Sequence, residues 1–117
     1  MKQMKPELVI VDRGSLVDGD VSRFNISSDE FWVPLFFYVR IPGMEDLQCR
    51  AEVVSENWMR NNCLKEDNST ICTCHGFILA RSFNEPQVET YIRDLLDFEE
   101  DSAERIVRRI SEYFLVE

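Results

Sequence analysis

From Phe31 to Ile41 the chain reads FWVPLFFYVRI, a run dense in aromatic and β-branched side chains that stops at Pro42-Gly43. Such residues fit a pleated, buried strand, and the Pro-Gly pair supplies a turn to end it. Its near-continuous hydrophobicity points to burial on both faces of a sheet, or to one face that a partner covers. Pro34 has no N–H to donate, so the strand either lies at an edge there or becomes regular only after it. The paired segment is expected over residues 35–41. Most of the rings belong to the core, Phe37 above all, while Phe31 and Trp32 are the candidate exposed anchors of a binding patch or homodimer seam.

The elements around this strand follow from periodicity. Leu8 to Val11 reads as a short strand, preceded by a loose leader over residues 1–6. Residues 12–30 carry Gly14, Gly19 and many Asp, Asn and Ser residues, which is loop chemistry, with Phe24 and Ile26 available to anchor it. Leu47, Cys49, Ala51 and Val53 alternate with polar neighbours as in a half-buried strand, whereas Leu47, Ala51, Val54 and Trp58 share a helical stripe. The strand is favoured, followed by a short helix over residues 55–61 capped by Ser55. Ile71 to Ala80 reads as a further strand, with a bulge or close backbone approach at Gly76.

The last third announces helices. Asn84, Pro86 and Gln87 stand at the offsets of a cap, an early proline and a reciprocal partner, and Val88, Tyr91 or Ile92, and Leu95 supply a buried stripe to about Asp97. A second start is expected at Asp101 with Glu104 three residues on, and Ala103, Ile106, Val107, Ile110, Tyr113 and Phe114 as its apolar face. Strands first and helices last predict an α+β domain over residues 1–117, with a small antiparallel sheet of three to four strands against two C-terminal helices. No glycine-rich phosphate cradle joins a strand to a helix, which disfavours a doubly wound nucleotide-binding fold.

Charge narrows the partners. The 117 residues include 22 acidic and 13 basic ones, a net charge of −9, which disfavours direct contact with nucleic acid or an anionic membrane. Arg105, Arg108 and Arg109 form the one basic cluster, and Asp101, Glu104 and Glu112 stand at helical spacing to pair with them. Asp94, Asp97, Glu99, Glu100, Asp101 and Glu104 make an acidic ridge at the junction of the last helices. A ridge of this kind can orient a protein with a basic surface, although acids at helix starts also serve solubility alone.

Cysteine chemistry offers the competing reading. Cys63, Cys72, Cys74 and His75 are zinc-ligand types, but one residue between two cysteines is short of the usual spacing, and His75 points away from Cys74 on a regular strand. Buried or semi-buried thiols are the simpler account, and a Cys–His catalytic pair meets the same geometric objection. Asp12, Asp18 and Asp20 lack the pattern of a calcium loop. The apolar run near the start is too short for a secretory signal, and no apolar stretch is long enough to cross a bilayer, so cytoplasmic residence and free thiols are expected. The preferred expectation is a non-enzymatic, cofactor-free, acidic protein that binds another macromolecule, for instance as an inhibitor or immunity-type factor for a basic or nucleic-acid-handling protein. A small Cys/His-dependent enzyme, a zinc-binding factor and a homodimeric structural subunit are the alternatives.

Overall fold

The structure is a computed structural model and describes residues 3–10, 14–62 and 75–117. Its scaffold is the antiparallel pair of β2 (Trp32–Arg40) and β3 (Leu47–Val54), in register from Trp32↔Val54 to Val39↔Leu47. Along this ladder the alternation of side chains separates two faces. Phe31, Val33, Leu35, Phe37, Val39 and Ile41 are buried on one, together with Cys49, Ala51 and Val53; Trp32, Pro34, Phe36 and Tyr38 are half-buried on the other. The doubly apolar run is therefore a strand whose two faces meet different surroundings. The period-two reading of residues 47–54 holds over the helical stripe.

Regular pairing begins at Trp32 rather than after Pro34. The Pro34 carbonyl accepts the Asp18 N–H at 2.9 Å, and the Phe36 N–H donates to the Leu16 carbonyl at 2.9 Å. The imide nitrogen of Pro34 consequently faces the short rim of residues 16–18 and takes no donor from the β2–β3 ladder. β1 (Glu7–Val9) extends the same rim, antiparallel to β2 with Leu8 opposite Val39; Val11, expected in this strand, lies outside the described residues. Leu16 and Val17 are buried and pin the long loop, and Phe24 and Ile26 pack against the core. The expected loose leader is corrected from Met4 onward: Met4 and Glu100 exchange N–H···O bonds of 2.8 and 2.9 Å, and Pro6 is buried.

Beyond β3, Ser55 caps α1 (Glu56–Asn62) by accepting the Trp58 N–H at 3.1 Å. The chain returns as β4 (Phe77–Leu79), parallel to β3, while β5 (Leu115–Val116) pairs antiparallel with the other half of the same β3 edge. Of the strand expected over residues 71–80, Ile71 to Cys74 lie outside the described residues, and His75-Gly76 form a turn. Gly76 has φ +86°, and a Cβ there would sit 3.0 Å from Leu115 Cγ, so the close approach is real. The fold is α+β, and among the described residues its sheet has five strands, with β3 and β4 paired in parallel and the other pairs antiparallel.

The core face is covered by α2 (Glu85–Leu95) and α3 (Ala103–Ser111), which bury Val88, Ile92, Ile106 and Ile110; Leu96 and Phe114, just beyond the two helices, join them. Phe114 meets Phe37 edge-on at 5.1 Å. Asn84 Oδ1 accepts the Gln87 N–H at 3.1 Å, the cap legible in the sequence. For α3 the cap is Ser102, whose hydroxyl accepts the Arg105 N–H at 3.3 Å, and not Asp101, whose carboxylate turns to the Arg105 guanidinium at 3.5 Å. Ile92 takes the buried position, leaving Tyr91 exposed; Tyr113 is likewise exposed rather than part of the α3 core face.

Candidate interaction surface

The acidic ridge is built, but it is largely charge-balanced. Asp97 pairs with Lys5 at 2.8 Å, Glu100 with Arg109 at 3.2 Å, Asp101 with Arg105 at 3.5 Å and Glu104 with Arg108 at 3.5 Å. The Lys5–Asp97 hydrogen bond, reinforced by their opposite charges, raises the lysine pKa and lowers that of the carboxyl. Arg109 also lies over the Phe98 ring at 3.9 Å, so the arginine cluster serves the ridge. Asp94 and Glu99 are the exposed ridge carboxylates for which no ion pair is seen among the described residues. A groove of about 550 Å³ at Asp94 is lined also by Lys5, Glu7, Arg93 and Asp97, a mixture of both signs.

The aromatic anchors fare differently. Phe31 is 1% exposed, because its N–H is held by the Ser55 hydroxyl at the sheet end, and it is corrected from surface anchor to core. Trp32 is half-buried: its Nε1 donates to Glu52 Oε1 at 2.8 Å, and its ring lies between Phe24 at 5.8 Å and Trp58 at 6.5 Å. Phe36 is roofed by Arg50 at 4.9 Å, and Arg50 is held by Glu117 and, at 2.8 Å, by Asp18. Those two carboxylates, Glu117 foremost, raise the Arg50 pKa. This face of the sheet is thus closed by α1 at one end and by an ion-paired arginine at the other.

Cys63, Cys72 and Cys74 lie outside the described residues, so their convergence with His75 has no structural account. His75 is exposed, with Nε2 3.1 Å from the Phe114 carbonyl; protonated at that nitrogen, it donates to the carbonyl. Cys49 is buried in the core, and burial pushes its thiol up to about 12. Among the described residues no group of three or more His, Cys, Asp or Glu side chains is arranged to hold a metal ion. Asp12 is outside them, Asp18 serves Arg50, and Asp20 caps the turn Val21–Arg23.

Sequence reasoning missed the outer edge of β4. Among the described residues, grooves adjoin this strand along its length and at both ends. One of about 380 Å³ runs between β4 and the Asn84, Gln87 and Tyr91 side of α2. Another of about 430 Å³ lies at the Leu79 end with Asp29, Glu56 and Arg81, and a smaller one of about 150 Å³ lies at the His75 end with Glu112 and Tyr113. Leu79 is 62% exposed and Tyr91 49%, the two most exposed large apolar side chains among the described residues. The strand itself was legible from its apolar residues, but its place at the rim depends on which strands pair with β3.

No family model matches the chain, and no curated protein or solved structure matches it either. Function must be argued from these surfaces. Among the described residues no helix is long and apolar enough to cross a membrane. What the β4 edge provides chemically is backbone hydrogen-bonding capacity next to apolar grooves, which is the equipment of recognition.

Proposed function

We propose that this chain is an acidic macromolecule-binding protein, an inhibitor or immunity-type factor that acts in the cytoplasm on a basic or nucleic-acid-handling protein. The observation that carries the reading is the gathering of grooves and exposed Leu79 and Tyr91 at one sheet edge, on a chain of net charge −9. Net negative charge steers a positively charged protein and repels nucleic acid, and apolar contact then supplies the affinity that long-range attraction does not. Asp94 and Glu99 extend the field on the ridge. A homodimer through the aromatic strand has less support, because Trp32 is stacked under Trp58 and Phe36 lies under Arg50.

Capture from native cell extract on the immobilised chain tests the proposal, with washes at low salt and then at about 0.5 M, where the screening length is only a few ångströms. The expected result is one stoichiometric basic protein whose retention weakens at the higher salt and whose activity falls on binding. Retention of nucleic acid without protein, or of no specific partner by the folded chain, rejects the reading. Stoichiometric zinc in the purified protein, lost on joint Cys72→Ser and Cys74→Ser substitution, would favour a metal-binding factor instead.

A further inference from the structure

We infer that the outer edge of β4 is the docking site for an extended segment of the basic partner, which adds as a further strand and lays alternate side chains in the groove between β4 and α2. The inference rests on the proposed binding function and assigns its surface. The ladder to β3 uses the Gly76 carbonyl, which accepts the Glu52 N–H at 2.9 Å, and the Ala80 N–H, which donates to the Val54 carbonyl at 2.9 Å. Backbone groups alternate direction along a strand, so the N–H and C=O of Phe77 and Leu79 face away from β3. Among the described residues β4 is the last strand of the sheet on that side.

Exposed edges are ordinarily blunted by lysine, proline, bulges or covering elements. The opposite rim has such protection: Lys5 and Pro6 precede β1, and residues 16–18 pair with β2 beside it. β4 reads Phe-Ile-Leu, with neither charge nor proline. Strand addition draws affinity from main-chain hydrogen bonds and specificity from pockets for alternate side chains, and the Tyr91 groove lies beside the strand for that purpose.

Charge selects the occupant. Among the charged side chains lining the grooves along β4, Asp29 and Glu112 are exposed carboxylates and Arg81 is an exposed guanidinium, while Glu56 is held by Arg60 at 2.6 Å. A second copy would bring the same rim and another net charge of −9. A segment alternating basic and apolar residues meets both the rim and the groove.

The test uses a synthetic peptide of about six residues alternating lysine and valine, its alternately N-methylated form, and its glutamate analogue. The expected result is saturable binding of the first to the full chain, with amide exchange at Phe77 and Leu79 slowed about tenfold or more. Alternate N-methylation should weaken binding at least about tenfold, as should Leu79→Pro, which removes an outward donor without breaking the β3 ladder. No saturable binding, equal binding of the N-methylated or glutamate peptide, or equal binding by a folded Leu79→Pro chain overturns the inference. Should that variant unfold, the N-methylated peptide decides on the unaltered chain. Self-association removed by Leu79→Pro overturns the inference in favour of a second copy. A basic partner captured equally by the unaltered chain and by folded Leu79→Pro overturns the edge assignment alone, and failure of the unaltered chain to capture one overturns the binding function with it.

Discussion

Replacing Ser55 with alanine tests the junction on which three elements meet. Ser55 is 3% exposed, and its hydroxyl accepts the Phe31 N–H at 3.0 Å and the Trp58 N–H at 3.1 Å. Its own N–H donates to the Phe31 carbonyl at 3.1 Å, and its carbonyl accepts the Met59 N–H at 3.0 Å. One residue therefore ends β3, starts α1 and holds the entrance to β2. In Ser55→Ala the Trp58 N–H loses a cap, which costs about 1 kcal/mol, since a first-turn donor at the surface can turn to water. The Phe31 N–H is buried and cannot, so it adds the penalty of an orphaned donor, about 1–3 kcal/mol. The expected loss is about 2–4 kcal/mol, against a total stability of about 5–15 kcal/mol for domains of this kind. Urea unfolding followed by tryptophan fluorescence should show a lower midpoint at unchanged slope. Ser102→Ala, which removes only a helix cap on α3, serves as the comparison at about 1 kcal/mol. If Ser55→Ala costs no more than Ser102→Ala, the Phe31 donor has another partner and the reasoning fails.

Gly76→Ala should destabilise the chain by about 1–3 kcal/mol in the same assay, because φ is +86° and the new Cβ meets Leu115 Cγ at 3.0 Å. The Cys49 thiol, raised to about 12, should resist alkylation in the native state at neutral pH, read by mass spectrometry of that peptide, and react once unfolded. Since the folded value is the raised one, its contribution to stability is intact below the free-thiol value near 8.5. It should fall by up to about 1.4 kcal/mol per pH unit as pH rises towards 12, a slope that Cys49→Ala should remove. Glu100→Lys should cost about 1 kcal/mol by breaking the Arg109 pair, whereas Glu99→Lys should stay within about 0.5 kcal/mol on thermal or urea unfolding.

Local chemistry was readable and long-range pairing was not. The Asn84 cap, the two-residue alternation of β3 and the Ser55 start of α1 involve groups within a few positions of one another, so the sequence displays them directly. Asp101 and Ser102 are both good caps at adjacent positions, and the choice turned on Arg105 claiming the aspartate. Pro34 suggested a late strand start because its missing donor counts only on the side it faces, and the neighbour there, residues 16–18, comes from a loop-like stretch. The acidic ridge read as bare charge because Lys5, which neutralises Asp97, lies at the other end of the chain. Phe31 resembled Trp32 in composition; a one-residue difference in pleat put it in the core.

The division of one β3 edge between β4 and β5 has a consequence for the order of assembly. β2 and β3 are joined by a short turn and can close early, since nearby segments meet at little entropic cost. The far edge of β3 must wait for chain from distant positions, Arg50 and Glu117 being 67 residues apart. A chain lacking either latecomer would leave a strand rich in apolar residues with an open edge, and such edges template pairing with neighbouring chains. Substitutions that weaken β4 or β5 should therefore lower the yield of folded protein well before they lower the stability of the molecules that do fold.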